Sequence, residues 1–108
     1  MLISTTEELQ VFEITDYLGL AHGEVVSGAN ILRDVMATVT DFVGGRSAAY
    51  EEELQNSREA ALREMTDRAQ RMGADAVVGL QLDFEVIGSR GAMIMVTAVG
   101  TAVRLRKL

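Results

Sequence analysis

The sequence predicts an α+β fold, and three observations point to it. Ala48 to Met72 repeats apolar residues at helical spacing within a heavily charged stretch. Ala76 to Arg106 alternates apolar and polar residues, then turns apolar on both faces, with a glycine-rich break at Gly88 to Gly91. Leu9 to Gly28 mixes β-branched and aromatic residues with single glycines. With 108 residues in all, these pieces belong to one domain spanning 1–108.

There are no prolines and ten glycines, so glycine sets the punctuation. Leu9 to Gly28 (LQVFEITDYLGLAHGEVVSG) is expected to form one long bent strand, or two short ones interrupted near Gly19 and Gly23. Asn30 to Val43 then places Ile31, Leu32, Val35, Met36, Val39, Phe42 and Val43 at a 3.6-residue period, which predicts a shorter helix. Asn30 is suited to cap its start, and Gly44 to end it in a left-handed conformation.

The long helix over Ala48 to Met72 has the clearest signature. Leu54, Ala61, Leu62, Met65, Ala69 and Met72 make its apolar stripe. Glu59 with Arg63, Glu64 with Arg68 and Asp67 with Arg71 are acid-to-base pairs four residues apart on its wet side. Glu51 to Glu53 suit the positive N-terminal end of the helix dipole, Arg68 and Arg71 the other end, and Gly73 stops it.

The last piece is a hairpin. In Ala76 to Ile87, Leu80, Leu82, Phe84 and Val86 face one way, and Gln81, Asp83 and Glu85 the other. The turn Gly88-Ser89-Arg90-Gly91 leads into Ala92 to Arg106, where Met93, Met95, Val99 and Val103 oppose Ile94, Val96, Ala98, Gly100 and Ala102. A strand apolar on both sides in so small a domain needs cover from two directions. The long helix supplies one; another subunit is a candidate for the second.

Composition narrows the function. The formal net charge of −6 disfavours a nucleic-acid partner, since the ten Lys and Arg are scattered apart from Arg104, Arg106 and Lys107. There is no cysteine, which excludes disulfides and thiolate metal sites and suits a reducing cytoplasm. The opening MLISTTEEL lacks the basic and apolar regions of a signal peptide. Gly91 to Val103 is the longest uncharged run, short of the roughly 20 residues a membrane helix needs. A cytoplasmic protein without a membrane partner is expected. With 48% hydrophobic residues and a mean hydropathy of +0.16, some apolar surface is left for a partner.

The order strand, helix, GGRSxxYExxL, long helix, GADAVVG, hairpin and GTAV resembles the YbjQ-like family of small, uncharacterised prokaryotic proteins. The matching stretches are Gly23-Glu24, Gly28-Ala29-Asn30, Gly44-Gly45-Arg46-Ser47 with Tyr50 and Glu51, Gly73 through Gly79, Gly91 through Met95, and Gly100 through Val103. The resemblance implies a two-layer α/β sandwich with an antiparallel sheet, assembly into closed homo-oligomeric rings with pentamers as the expected form, and a family label of heavy-metal binding.

The residues offer little for a soft metal. Such metals select thiolate, thioether and imidazole, and the chain has a single His22 and six methionines. Met93 and Met95 share a strand face and could in principle hold Cu(I), but adjacent methionines in a buried strand are far more often adaptable core filling. For a hard cation, Asp83 and Glu85 share a strand face that a ring would repeat, which makes an oxygen site for Ca²⁺ or Mg²⁺ conceivable; a solvated polar face is the simpler account. His22 has no spaced Ser or Asp partner, and neither G-x-S-x-G nor H-E-x-x-H occurs, so an enzyme is not expected.

The remaining candidate is Gly44, Gly45, Arg46 and Ser47 with Tyr50 one turn on. Two glycines before free N–H groups at a helix start make an anion-binding nest, to which Arg46 adds a donor fork. The alternative is structural: Gly44 and Gly45 reverse the chain, Ser47 caps the long helix, and Arg46 meets Asp41 or a carboxylate of the adjacent subunit. Either way the motif is expected to be a turn between two helices. The ligand, metal or anion, is unknown, and the expected function is a non-enzymatic, ring-forming assembly or binding protein.

Overall fold

A computed structural model describes residues 1–27, 43–88 and 93–108, and the side chains of all of these except 43–50. The chain forms β1 (Leu2–Ile3), β2 (Phe12–Ser27), α1 (Val43–Arg71), β3 (Ala76–Ile87) and β4 (Met93–Lys107). The fold is α+β: a four-stranded mixed sheet in the order β1-β3-β4-β2, with one described helix packed against it.

The sheet is a long ribbon built on β4, which pairs antiparallel with β2 from Phe12 to Ser27 and with β3 from Ala76 to Ile87. The expected antiparallel sheet is thus present, with one addition. Leu2 and Ile3 lie parallel to Ala76 and Val77, and their strand continues as backbone hydrogen bonds from Ser4 to Val77, Leu80 to Ser4 and Gly79 to Thr6. Two residues carry no periodicity, so this strand had no sequence signal.

Within the expected Leu9 to Gly28, Phe12–Ser27 form one strand rather than two. Its register slips between Ile14 and Asp16 and between Tyr17 and Gly19, where Gly19 adopts φ +120°, and pairing is regular through Gly23. Gly23 has a different task. A Cβ there would lie 2.0 Å from the Ala61 carbonyl oxygen and 2.7 Å from the Met65 nitrogen, so the backbone of α1 rests directly on β2.

Contacts follow in order along both elements: Ser57 meets Ser27, Ala61 and Met65 meet Gly23, and Met72 approaches Gly19. Ser57 to Met72 is about 22 Å of helix and Ser27 to Gly19 about 26 Å of strand, so α1 runs lengthwise along β2 in the opposite direction. The expected stripe forms the core: Ala61, Met65 and Ala69 are fully buried with Ala21, Val77, Val96, Ala98 and Ala102, and Leu54, Leu62 and Met72 pack at its margin.

The end of α1 is as expected. Gly73, at φ +84°, donates to the Gln70 carbonyl while Ala74 donates to that of Ala69, the two bonds of a Schellman cap. Of the three anticipated ion pairs, Glu64–Arg68 closes at 2.8 Å among the described residues. Both partners are more than a third exposed, which leaves such a pair little energetic weight.

The start of α1 differs. The helix includes Val43 and the whole of Gly44-Gly45-Arg46-Ser47, so these residues are not a turn, Gly44 does not end a helix, and Ser47 is not a cap. Extending a helix costs far less than nucleating one, and Ala48, Ala49 and the glutamates beyond are good helix formers; they carry two glycines, each about 0.5–1 kcal/mol unfavourable, into the helix. For the same reason Glu51 to Glu53 lie beyond the first turn and gain nothing from the dipole there. The expected helix from Asn30, its cap and Asp41 lie outside the described residues, except for Val43, which belongs to α1. Ser89 to Gly91 of the hairpin turn also lie outside them.

The close approach at Gly23 gives a stability prediction. Gly23→Ala is expected to cost about 3 kcal/mol or more, because the added methyl overlaps helix backbone that cannot rotate away. Gly79→Ala, where φ is +64° but the space is open, is expected to cost only about 1 kcal/mol. Urea denaturation followed by circular dichroism ranks the two; equal losses would show that α1 is free to lift from β2.

Candidate functional site

The helix covers one face of the sheet, and the opposite face is where alternation places the candidate side chains. Pairing across three strands sets them in rows: Gln81, Val99 and His22; Asp83, Thr97 and Glu24; Glu85, Met95 and Val26. Leu20 lies opposite Thr101, and Tyr17 opposite Val103, on the same face. At the β1 end this face is closed by Leu9, Ile14 and Leu105 packed on Ala76, Val78 and Val103. Beyond that it is bare among the described residues: Tyr17 is 73% exposed, Leu20 71% and Val26 49%.

Asp83 and Glu85 therefore share this open face, with Glu24 level with Asp83 beyond Thr97. Adjacent strands lie about 4.8 Å apart, so the Asp83 and Glu24 backbones are separated by about 10 Å. Among the described residues no group of three or more His, Cys, Asp or Glu side chains is placed to hold a metal ion. His22 is exposed on the open face, with Val99 rather than a ligand opposite it. Met93 and Met95 are half-buried there, and Met93 folds back over Gly88.

Gly44, Gly45, Arg46, Ser47 and Tyr50 all fall within α1. Their side chains lie outside the description, and so does any anion contact of Arg46.

Three features had weaker signals in the sequence. A polar knot ties the end of β2 to α1: the Ser27 and Ser57 hydroxyls are 2.7 Å apart, and Ser27 Oγ donates to Glu53 Oε1 at 3.2 Å. Both serines are buried, and the legible hint was Ser57 interrupting an apolar stripe. Arg68 Nη1 donates to the His22 carbonyl at 2.7 Å, reaching from α1 to the outer strand of the sheet. Finally, a groove of about 480 Å³ opens between α1 and β3, with Leu54, Phe84, Val86 and Ile94 as apolar lining and Glu51, Gln55, Arg58 and Glu85 around it. It exists because α1 lies over β2 and β4, leaving Phe84 48% and Val86 63% exposed on the helix side of β3.

Comparison with known proteins adds to this geometry. A family model described as "Putative heavy-metal-binding" matches residues 1–106. The chain belongs to the YbjQ-like family. It is 52% identical over 107 residues to UPF0145 protein BH1111 of Halalkalibacterium halodurans, covering 99% of this chain and 98% of that relative. It also resembles the crystal structure of a protein of unknown function of the DUF74 family from Pediococcus pentosaceus, with a TM-score of 0.54 at 18% identity over 98% of both chains. That likeness supports the fold alone. The descriptions of the YbjQ-like model and of these relatives name no catalytic function. No described helix is long and apolar enough to cross a membrane.

The polar knot can be tested directly. Ser57→Ala is expected to cost about 1 kcal/mol, while Ser27→Ala with Ser57→Ala costs less than the sum of the two singles, since removing both hydroxyls leaves neither unpaired. Thermal denaturation of the four proteins of the cycle measures this coupling.

Proposed function

We propose that the protein is a cytoplasmic, non-enzymatic assembly protein whose copies close into a ring, with five as the expected number. The bare sheet face carries this reading. A 108-residue domain is expected to have a radius of gyration of about 13 Å, whereas this chain measures 17.2 Å, with extents of 56 × 24 × 17 Å. Among the described residues one helix lies on one sheet, and Tyr17, Leu20 and Val26, exposed on the other face, are apolar surface that a second copy would cover. The two faces of the slab differ, so contacts between unlike surfaces suit a closed ring. Sedimentation is expected to give a species several times the 11.7 kDa monomer at micromolar concentration, and Leu20→Asp is expected to shift it toward monomer. A stable wild-type monomer would sink the proposal.

A second reading, metal binding through Asp and Glu side chains, is favoured by Asp83, Glu85 and Glu24 sharing the open face and by the family description. In a ring, carboxylates that do not converge within one chain would be repeated around the axis, and oxygen ligands of that kind suit hard cations better than soft ones. Titration calorimetry of the metal-free protein with Ca²⁺, Zn²⁺ and Cu(I) is expected to give heat with Ca²⁺ that Asp83→Asn with Glu85→Gln removes. No heat with any of the three ions ends this reading.

A further inference from the structure

Residues 1–10 form an arm that joins the two edges of the sheet. β1 lies outside β3 at one edge and β2 forms the other. Between them the chain crosses the sheet on the face away from α1, where Leu9 packs on Ala76, Val78 and Val103. The arm is held to β3 by Ser4 N–H donating to the Val77 carbonyl at 2.9 Å, Leu80 N–H to that of Ser4 at 3.0 Å and Gly79 N–H to that of Thr6 at 2.9 Å. Ile3 adds an anchor on the helix-side core.

The arm is also braced within itself. The Ser4 and Thr6 hydroxyls lie 2.6 Å apart, Thr6 N–H donates to Ser4 Oγ at 3.0 Å, and Thr6 Oγ1 donates to the Glu8 carbonyl at 2.7 Å. These bonds do not involve the sheet, so they hold if the arm moves as one piece. Its grip on the sheet is slight by comparison: β1 pairs through two residues, the pairing is parallel, and Met1 and Leu2 are exposed.

The joint between arm and sheet is Val11. It sits at φ 62°, a left-handed conformation that a β-branched residue adopts only at a cost, and its side chain is 62% exposed, so packing offsets little of that cost. Its carbonyl accepts the Leu108 N–H at 2.9 Å, which fixes the side of the residue that leads into the sheet. The φ bond lies on the other side. Rotation about it returns Val11 to negative φ and swings residues 1–10 outward, leaving the bond to Leu108 and the β2–β4 ladder in place.

We propose that residues 1–10 are a strap that opens about Val11. Opening uncovers the edge of β3 at Val77, Gly79 and Leu80, and joins Ala76, Val78 and Val103 to the exposed Tyr17 and Leu20 as one apolar surface. It gives up the bonds to β3, a 3.4 Å bond from Phe12 N–H to the Leu9 carbonyl and the packing of Ile3 and Leu9, which keeps the closed state the major one. The closed state carries the backbone strain at Val11, and the open state relieves it. The movement needs no second copy and does not rest on the assembly reading above.

Hydrogen exchange of the full-length protein, read residue by residue by NMR, tests the strap. The Ser4, Gly79 and Leu80 amides are expected to share one opening constant, at least about ten-fold larger than that of the β2–β4 ladder. Val11→Asn, which places a residue tolerant of left-handed backbone at the joint, is expected to lower that constant about five-fold relative to the ladder. Val11→Ile, which keeps the β-branch, is expected to leave it unchanged. The proposal is overturned if the three amides open only together with the ladder, or if Val11→Asn slows them no more than Val11→Ile does.

Discussion

The rest of the structure depends on the contact between the backbone of α1 and the backbone of β2 at Gly23. A helix and a strand are normally held apart by side chains on both, and here one of the two layers of side chains is missing. The gap is narrow enough that Ala61 and Ala69 are fully buried, and the flanking contacts follow from it: Ser57 on Ser27, Arg68 on the His22 carbonyl, Met72 near Gly19. Because β2 is the outermost strand on its side, anchoring the helix there pulls it off the centre of the sheet.

Two consequences shape the surface. The helix cannot cover β3, so Phe84 and Val86 line an open groove on the helix side. A single described helix covers only one face, so Leu20 and Val26 stand bare on the other. Apolar surface on both faces of the described residues suits an assembly whose contacts pair unlike surfaces.

Membership of the YbjQ-like family agrees with the motifs that first suggested it, yet those motifs do structural work that their local sequence does not reveal. Gly23 looked like a strand interruption and is a seat for a helix. Gly44-Gly45-Arg46-Ser47 looked like a turn and is helical, since helix propagation from the alanines and glutamates beyond outweighs the cost of two glycines. Gly73 does what its position suggested, because a helix stop is a local backbone event.

What the sequence determined by itself was periodic or local: the apolar stripe of α1, the alternation of β3, the two-sided apolar character of β4 and the Schellman cap at Gly73. These depend on residues within a few positions of one another, where the 3.6 and 2.0 periods act. Tertiary structure decided the parallel pairing of Leu2 and Ile3, the buried Ser27–Ser57 bond and the groove beside Phe84. It also set Asp83, Thr97 and Glu24 in one row. Each joins residues far apart in the chain, and their meeting is set by strand register and by where one helix rests on one glycine, neither of which local spacing encodes.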